Sequence, residues 1–230
     1  MLVRWVSGIA LAIFCWPAFA QEPIQLVMDE PQNIDAVKKQ LQHYQSCSDS
    51  NCYVPQLERQ ADIAIGFLKQ SIASAKPGDK LAIVLDIDET SLSNWEVEVH
   101  DDFGFIAADL NWCIHLRCGK AIGSTRKLFR EAKHSGVAIF FITGRLESQR
   151  TDTEGNLKAE GYEHWADLFM RADNHPADQS VEEFKSGERA KILARGYHIV
   201  LNVGDQMSDL RGYPQADHSV KLPNPFYFIP

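Results

Sequence analysis

The chain has 230 residues, of which 45% are hydrophobic and 23% charged, and a formal net charge of −8. That length supports one sizeable α/β core with a small accessory segment. Its 31 acidic residues outnumber 23 basic ones and no polybasic stripe appears, so binding to a nucleic-acid polymer is not expected as its main function.

Residues 1–20 read as a signal peptide. Arg4 supplies the positive start, Gly8 to Trp16 the apolar stretch, and Ala18-Phe19-Ala20 the small-x-small cleavage pattern, so the mature chain is expected to begin at Gln21. The apolar stretch is short for a membrane-spanning helix. A retained N-terminal anchor is the competing reading. Cleavage would leave no stable membrane anchor and a more acidic chain, because it removes Arg4 and no acid. Ala12-Ile13-Phe14, ahead of Cys15, lacks the small residues expected before a lipidated cysteine. A periplasmic or secreted location follows.

Residues 21–76 are expected to form a helical segment packed on the core. One helix is predicted from about Asn33 to Gln45. A longer one, Pro55 to Ser74, places Leu57, Ala61, Ala64, Ile65 and Leu68 on one face. Apart from Cys15, the cysteines are Cys47, Cys52, Cys113 and Cys118. An even number after export suggests disulfides. Their spacing suggests the local bridges Cys47–Cys52 and Cys113–Cys118, although other pairings are open. Zinc is the rival, but the spacings are wider than in a CxxC site and no histidine pair accompanies them.

Pro77-Gly78-Asp79 interrupts the helical pattern, and residues 77–230 read as the core. The aliphatic run Leu81 to Leu85 is a buried parallel strand that ends in Asp86-Ile87-Asp88-Glu89-Thr90. Ligands of open α/β sheets bind beyond the carboxyl ends of strands, so this strand delivers two carboxylates to a site. Two acids held close need a cation or a shared proton, and Mg²⁺ prefers oxygen ligands. Residues 91–123 form a loop insertion placed to overlie that site. Its Trp95, Phe103 and Trp112 are candidates to clamp an aromatic or nucleoside leaving group, with ordinary packing as the alternative.

A helix is predicted at Ser124 to His134, then a strand at Val137 to Ile142 ending in Thr143-Gly144-Arg145. A helix at Glu147 to Glu160, a strand at Trp165 to Met170 and a helix at Val181 to Ala194 come next. The last predicted strand, Tyr197 to Val203, ends in Gly204-Asp205, and Lys221 to Pro230 is expected to run extended along the surface. This alternation argues for a three-layer α/β domain with a mostly parallel sheet.

Any one of these aspartates, taken alone, is more readily a cap or a turn residue. Their ordered set is more specific. DIDET, FFITGR, FKSGER and NVGDQMSDL together resemble the secreted acid phosphatases of the haloacid dehalogenase superfamily's third subclass. That group includes bacterial class C-like acid phosphatases and plant vegetative storage proteins, and the resemblance covers roughly Ala75 to Phe228. It implies a three-layer Rossmann-like parallel sheet of the haloacid dehalogenase type. It also implies a secreted, Mg²⁺-dependent acid phosphatase that cleaves small phosphomonoesters through an aspartyl-phosphate. Asp86 would be the nucleophile and Asp88 the general acid and base. The superfamily's ATPase branch carries Thr at the latter position. Lys185 would stabilise the phosphoryl group and the nucleophile, with Lys191 as a rival, and Thr143 and Gly144 would bind phosphate. The metal ligands would be the Asp86 carboxylate, the Asp88 main-chain oxygen and Asp205. Asp209 is placed to hold a metal-bound water or to orient another group. Arg145 would pair with an acid or fix its loop. The alternatives are a phosphotransferase to alcohol acceptors and a non-catalytic binding or storage protein. Homo-oligomer formation stays open.

Overall fold

The computed structural model describes residues 31–229, and the leader expected at residues 1–20 lies outside them. Helices α1 (Ile34–Ser46) and α2 (Tyr53–Ser74) come first. α2 starts at Tyr53, ahead of Pro55, because a proline is tolerated in the first helical turn, where its missing N–H would have no helical partner. The face predicted from periodicity, Leu57, Ala61, Ala64, Ile65 and Leu68, is buried.

Strand β1 (Leu81–Leu85) follows. The insertion after it carries secondary structure of its own: β2 (Leu92–Ser93), α3 (Trp95–His100), α4 (Ala107–Leu116) and β3 (Lys120–Ala121), with β2 and β3 antiparallel. The chain continues through α5 (Gly123–His134) and β4 (Ala138–Leu146). A 3₁₀ turn at Glu147–Gln149 leads into α6 (Arg150–Ala159). Then come β5 (Asp167–Arg171), α7 (Val181–Ala194), β6 (His198–Gly204), α8 (Met207–Leu210) and β7 (His218–Lys221). Strand β7 is absent from the sequence reading because His-Ser-Val-Lys is too short and too polar to show an apolar pattern.

Five strands form one parallel sheet in the order β5-β4-β1-β6-β7. Successive strand side chains point to opposite faces. In β1, Ile83 and Leu85 therefore join Leu68 of α2 and Leu128 and Phe129 of α5. Ala82 and Val84 join Phe184 and Ile192 of α7 on the other face. Helices thus cover both faces of the sheet, which makes the expected three layers. From β1 the chain moves out through β4 to β5, then crosses to β6 on the other side of β1. The strand order reverses between β1 and β6, where the crevice at the carboxyl ends suits a ligand. Asp86 directly follows β1 and Asp205 directly follows β6.

Both local disulfides are present, Cys47–Cys52 at the start of α2 and Cys113–Cys118 at the end of α4. Among the described residues no helix is long and apolar enough to cross a membrane. The C-terminal segment departs from the surface course expected for it. Leu222 and Phe226 are buried, and the Phe226 ring lies 5.1 Å from that of Tyr53 and 5.0 Å from that of Trp95. Pro223 and Pro225 favour an extended path, while the apolar residues beside them turn it inward.

Truncating Phe226 should therefore act as a core mutation. Phe226→Ala is expected to cost about 3 kcal/mol, read from the urea midpoint, and a loss below about 1 kcal/mol would mean that the tail is not held in the core.

Candidate active site

The loop after β1 is tightly wound. The Ile87 carbonyl accepts from the N–H groups of Thr90, Ser91 and Leu92, and the Asp86 carbonyl accepts from Ser91 Oγ at 2.6 Å. The Asp86 N–H donates to the Val203 carbonyl of β6 at 3.0 Å, which ties the loop to the neighbouring strand. Lys185 comes from the opposite layer. Ser180 and Glu183 form a reciprocal cap that starts α7, and Lys185 lies early in that helix. Its Nζ is 2.5 Å from Asp86 Oδ1 and 2.5 Å from Asp209 Oδ1. Lys191, the rival lysine, points to solvent with a side chain 66% exposed and pairs with Glu188.

Asp88 faces a different cation. Its Oδ1 accepts from Arg145 Nη2 at 2.7 Å and from Asn94 Nδ2 at 2.7 Å, and Arg145 Nε lies 3.1 Å from each carboxylate oxygen. Burial alone would raise the pKa of Asp88, but the Arg145 charge and these hydrogen bonds outweigh it and hold the carboxyl below its ordinary value. Arg145 is thus an acid's partner, and it also reaches Thr153 Oγ1 at 3.2 Å. Thr143 is fully buried, and its hydroxyl accepts from the Arg145 N–H at 3.1 Å. Gly144 is exposed with open space where a Cβ would stand, so packing within the chain does not require glycine there.

Asp205 is held on both oxygens. Thr90 Oγ1 donates to Oδ1 at 2.9 Å, while Gln206 Nε2 and Asn224 Nδ2 donate to Oδ2 at 2.8 and 2.7 Å. Asp209 Oδ2 accepts from the Gln206 N–H at 2.8 Å. A Cβ on Gly204 would overlap the Asp209 side chain, so glycine is what lets these two segments meet. Asp86, Asp205 and Asp209 are all buried, with oxygens within 4.8 Å of one another. Burial pushes Asp86 well up despite Lys185, and Asp209, Asp205 and Asp88 add to the rise. Burial works against the charge on Lys185, but Asp209 and Asp86 outweigh it and raise its pKa. Three buried carboxylates around one ammonium form a set of hard oxygen donors with negative charge to spare, and that fits a divalent cation of the Mg²⁺ kind.

Of the three aromatic candidates, Trp95 and Phe103 pack edge to face at 5.9 Å and both lie against Phe226. Trp112 is 63% exposed. Its neighbours Cys113 and Ile114 form the buried part of α4. The site also recruits Asn94 and Asn224, which carry no local signal in the sequence, and Glu89 and Gln206, which sit inside the DIDET and NVGDQMSDL motifs without a role that the motifs assign. Asn224 reaches Asp205 only because the tail folds inward.

The whole arrangement has recognisable relatives. Residues 20–230 match the family model described as HAD superfamily, subfamily IIIB (Acid phosphatase). The chain is 37% identical to acid phosphatase 1 of Solanum lycopersicum over 64% of its own length and 58% of that protein. It is 32% identical to the stem 28 kDa glycoprotein of Glycine max, over 65% and 61%, and 28% identical to vegetative storage protein 1 of Arabidopsis thaliana, over 64% and 55%. It therefore spans about three fifths of the length of the curated relatives it matches. The class C acid phosphatase from Bacillus anthracis has the same fold, with a TM-score of 0.70 at 18% identity over 85% of this chain and 86% of that one.

Glu89 makes the site's stability depend on pH. Its carboxyl is fully buried, and burial pushes its pKa from 4.5 up to about 8, against the opposing hydrogen bond from the Asn94 N–H. The folded chain keeps a proton that the unfolded chain releases above 4.5, so this contribution is fully present below that pH and is lost as pH rises towards about 8. Glu98, raised to about 7 by burial, acts in the same direction. With chelator present, the urea midpoint is expected to fall between about pH 5 and pH 8 by at least about 1 kcal/mol of stability. Glu89→Gln should flatten that fall, and a wild-type midpoint that is level or rising across the window would refute it.

Proposed function

This chain belongs to the HAD superfamily, subfamily IIIB acid phosphatases, and from that premise we propose that it is a periplasmic or secreted, Mg²⁺-dependent phosphomonoesterase acting through an aspartyl-phosphate on Asp86. The carrying observation is the contrast between two carboxylates of one short loop. Asp86 is gripped by the Lys185 ammonium, and Asp88 by Arg145 and Asn94. One is suited to attack and the other to proton transfer.

In the first step an Asp86 oxygen bonds to phosphorus while the bond to the leaving oxygen breaks. Lys185 holds that carboxylate in place and offsets the phosphoryl charge. Asp88 gives its proton to the departing alcohol. Arg145 keeps Asp88 ionised in the free protein, and the negative phosphoryl group of an incoming substrate raises its affinity for a proton. In the second step Asp88 takes a proton from water, which attacks phosphorus and releases phosphate and free Asp86. Thr143 and Gly144 lie in β4 beside this loop. The exposed backbone at Gly144 is suited to a phosphoryl oxygen, and the buried Thr143 hydroxyl, which accepts from the Arg145 N–H, is suited to hold that stretch in place. Mg²⁺ bound by the Asp86 carboxylate, the Asp88 main-chain oxygen and Asp205 would supply positive charge against the nucleophile and the phosphoryl group. Asp209, tied to Lys185, is suited to keep that lysine in line or to hold a metal-bound water.

The storage-protein relatives favour a second reading, a binding or storage protein on the same fold, because a fold does not fix an activity. The carboxylate at Asp86 favours turnover. Transfer to an alcohol would show as less free phosphate than free leaving group when an acceptor alcohol is added.

Phosphate release from a panel of monoesters, with Mg²⁺ or with excess chelator, tests the proposal. Release is expected to depend on metal and to fall by at least about 1,000-fold in Asp86→Asn. Undiminished release by Asp86→Asn would remove it as nucleophile, and no release by folded, Mg²⁺-supplied wild type would favour the storage reading. Asp86 must lose its proton to attack and burial holds that proton on, whereas Asp88 must carry one and Arg145 lowers its pKa, so the two act oppositely on kcat/KM. The ratio of kcat/KM for an alkyl monoester to that for p-nitrophenyl phosphate, in which the Asp86 requirement cancels, should decline from about pH 5 to about pH 8. A rise in that ratio across the range would contradict Asp88 as the acid.

A further inference from the structure

The two oxygens of Asp88 keep unequal company. Oδ1 accepts from Asn94 Nδ2 at 2.7 Å, Arg145 Nη2 at 2.7 Å and Arg145 Nε at 3.1 Å. Oδ2 meets Arg145 Nε alone, at 3.1 Å, among the described residues. An oxygen crowded by donors is a poor place for a proton, so a proton on this carboxyl belongs on Oδ2. The Asp88 side chain is also 23% exposed, which leaves the group open to an incoming molecule.

Asn94 is oriented from behind. It is 3% exposed, and its N–H donates to Glu89 Oε1 at 2.5 Å. Its own Oδ1 has no hydrogen-bond partner among the described residues, so the amide is aimed by Asp88 and by that backbone bond. Glu89 is fully buried and adopts φ of +49°, a conformation that a non-glycine residue keeps only where its surroundings impose it. Its N–H donates to the Leu92 carbonyl at 2.8 Å, and Ser93 Oγ at 3.2 Å and the Tyr53 hydroxyl at 3.3 Å donate to its Oε2. Tyr53 is the first residue of α2, next to the Cys47–Cys52 bridge, and is 2% exposed.

We propose that Asn94 is a positioning residue for proton transfer by Asp88: with Arg145 it saturates Oδ1 so that Oδ2 carries the proton to the leaving group, and Glu89 and Tyr53 hold Asn94 in that pose. The first turn of α2 is then part of the catalytic framework. The inference rests on Asp88 being the general acid.

Leaving-group dependence tests it. An alkoxide needs a proton to depart, whereas p-nitrophenolate leaves without one. In the purified protein, Asn94→Ala is expected to lower kcat/KM for glycerol 2-phosphate about 10-fold and for p-nitrophenyl phosphate no more than about 3-fold. Tyr53→Phe removes one hydroxyl at the far end of the relay and should act in the same direction, by about 3-fold on the alkyl ester. It decides the matter if Asn94→Ala lacks a cooperative thermal transition. Equal losses on the two substrates, or none, overturn the inference. Asp88→Asn separates the two levels. If its loss is selective for the alkyl ester while that of Asn94→Ala is not, the positioning role fails and the general acid stands. If its loss is not selective, the general-acid reading fails and takes this inference with it.

Discussion

Lys185 stands 2.5 Å from both Asp86 and Asp209 in a place almost closed to solvent, and the surrounding structure is organised by that charge. A buried ammonium is tolerable only with anionic partners, and a buried carboxylate only with donors. The fold meets both demands by bringing the ends of β1 and β6 together at the point where the strand order reverses and by lowering one lysine from α7 between them. Removing one member would leave the others buried without a partner, which is far more costly than losing a surface pair. Negative charge still exceeds positive charge in the cluster, and this is the physical reason a divalent cation fits it.

The same constraint recurs one step outward. Arg189 is fully buried, and its guanidinium donates to the carbonyls of Pro214, Asp209, Arg211 and Gly212, which fixes the chain around Asp209. Arg145 does the corresponding work for Asp88. Gln206, the next residue, and Asn224, from the C-terminal tail, supply donors to Asp205. Each catalytic candidate is thus aimed by a neighbour that has no chemistry of its own, and aim at the level of tenths of an ångström is what separates an active carboxylate from a buried one.

Two segments remote from the motifs take part. The C-terminal tail contributes Asn224 to Asp205 and Phe226 to an aromatic group with Tyr53, Trp95 and Phe103. The first turn of α2 contributes Tyr53 to Glu89. Trp95 and Phe103, attractive as ligand contacts from their position after β1, spend their surface on this packing. Stability of the outer segments and geometry of the centre are consequently linked.

By itself, the sequence determined the elements whose signal is local. The apolar run of β1 and its two aspartates, the alternation of strands with amphipathic helices, the close cysteine pairs and the spaced motifs around Thr143, Lys185 and Asp205 were all legible, because periodicity and short-range chemistry are written in neighbouring residues. The choice between Lys185 and Lys191 leaned on motif likeness until the fold showed which lysine faces inward. Tertiary structure alone decided the pairing of Arg145 with Asp88, the inward path of Leu222 to Phe226, the exposure of Trp112 and the relay from Tyr53 through Glu89 to Asn94. These join residues as far apart in the chain as Tyr53 and Phe226, and no local pattern records a contact made by the return of a distant segment. Asn94, an ordinary polar residue after a two-residue strand, acquires its meaning only when Asp88 and Glu89 close around it.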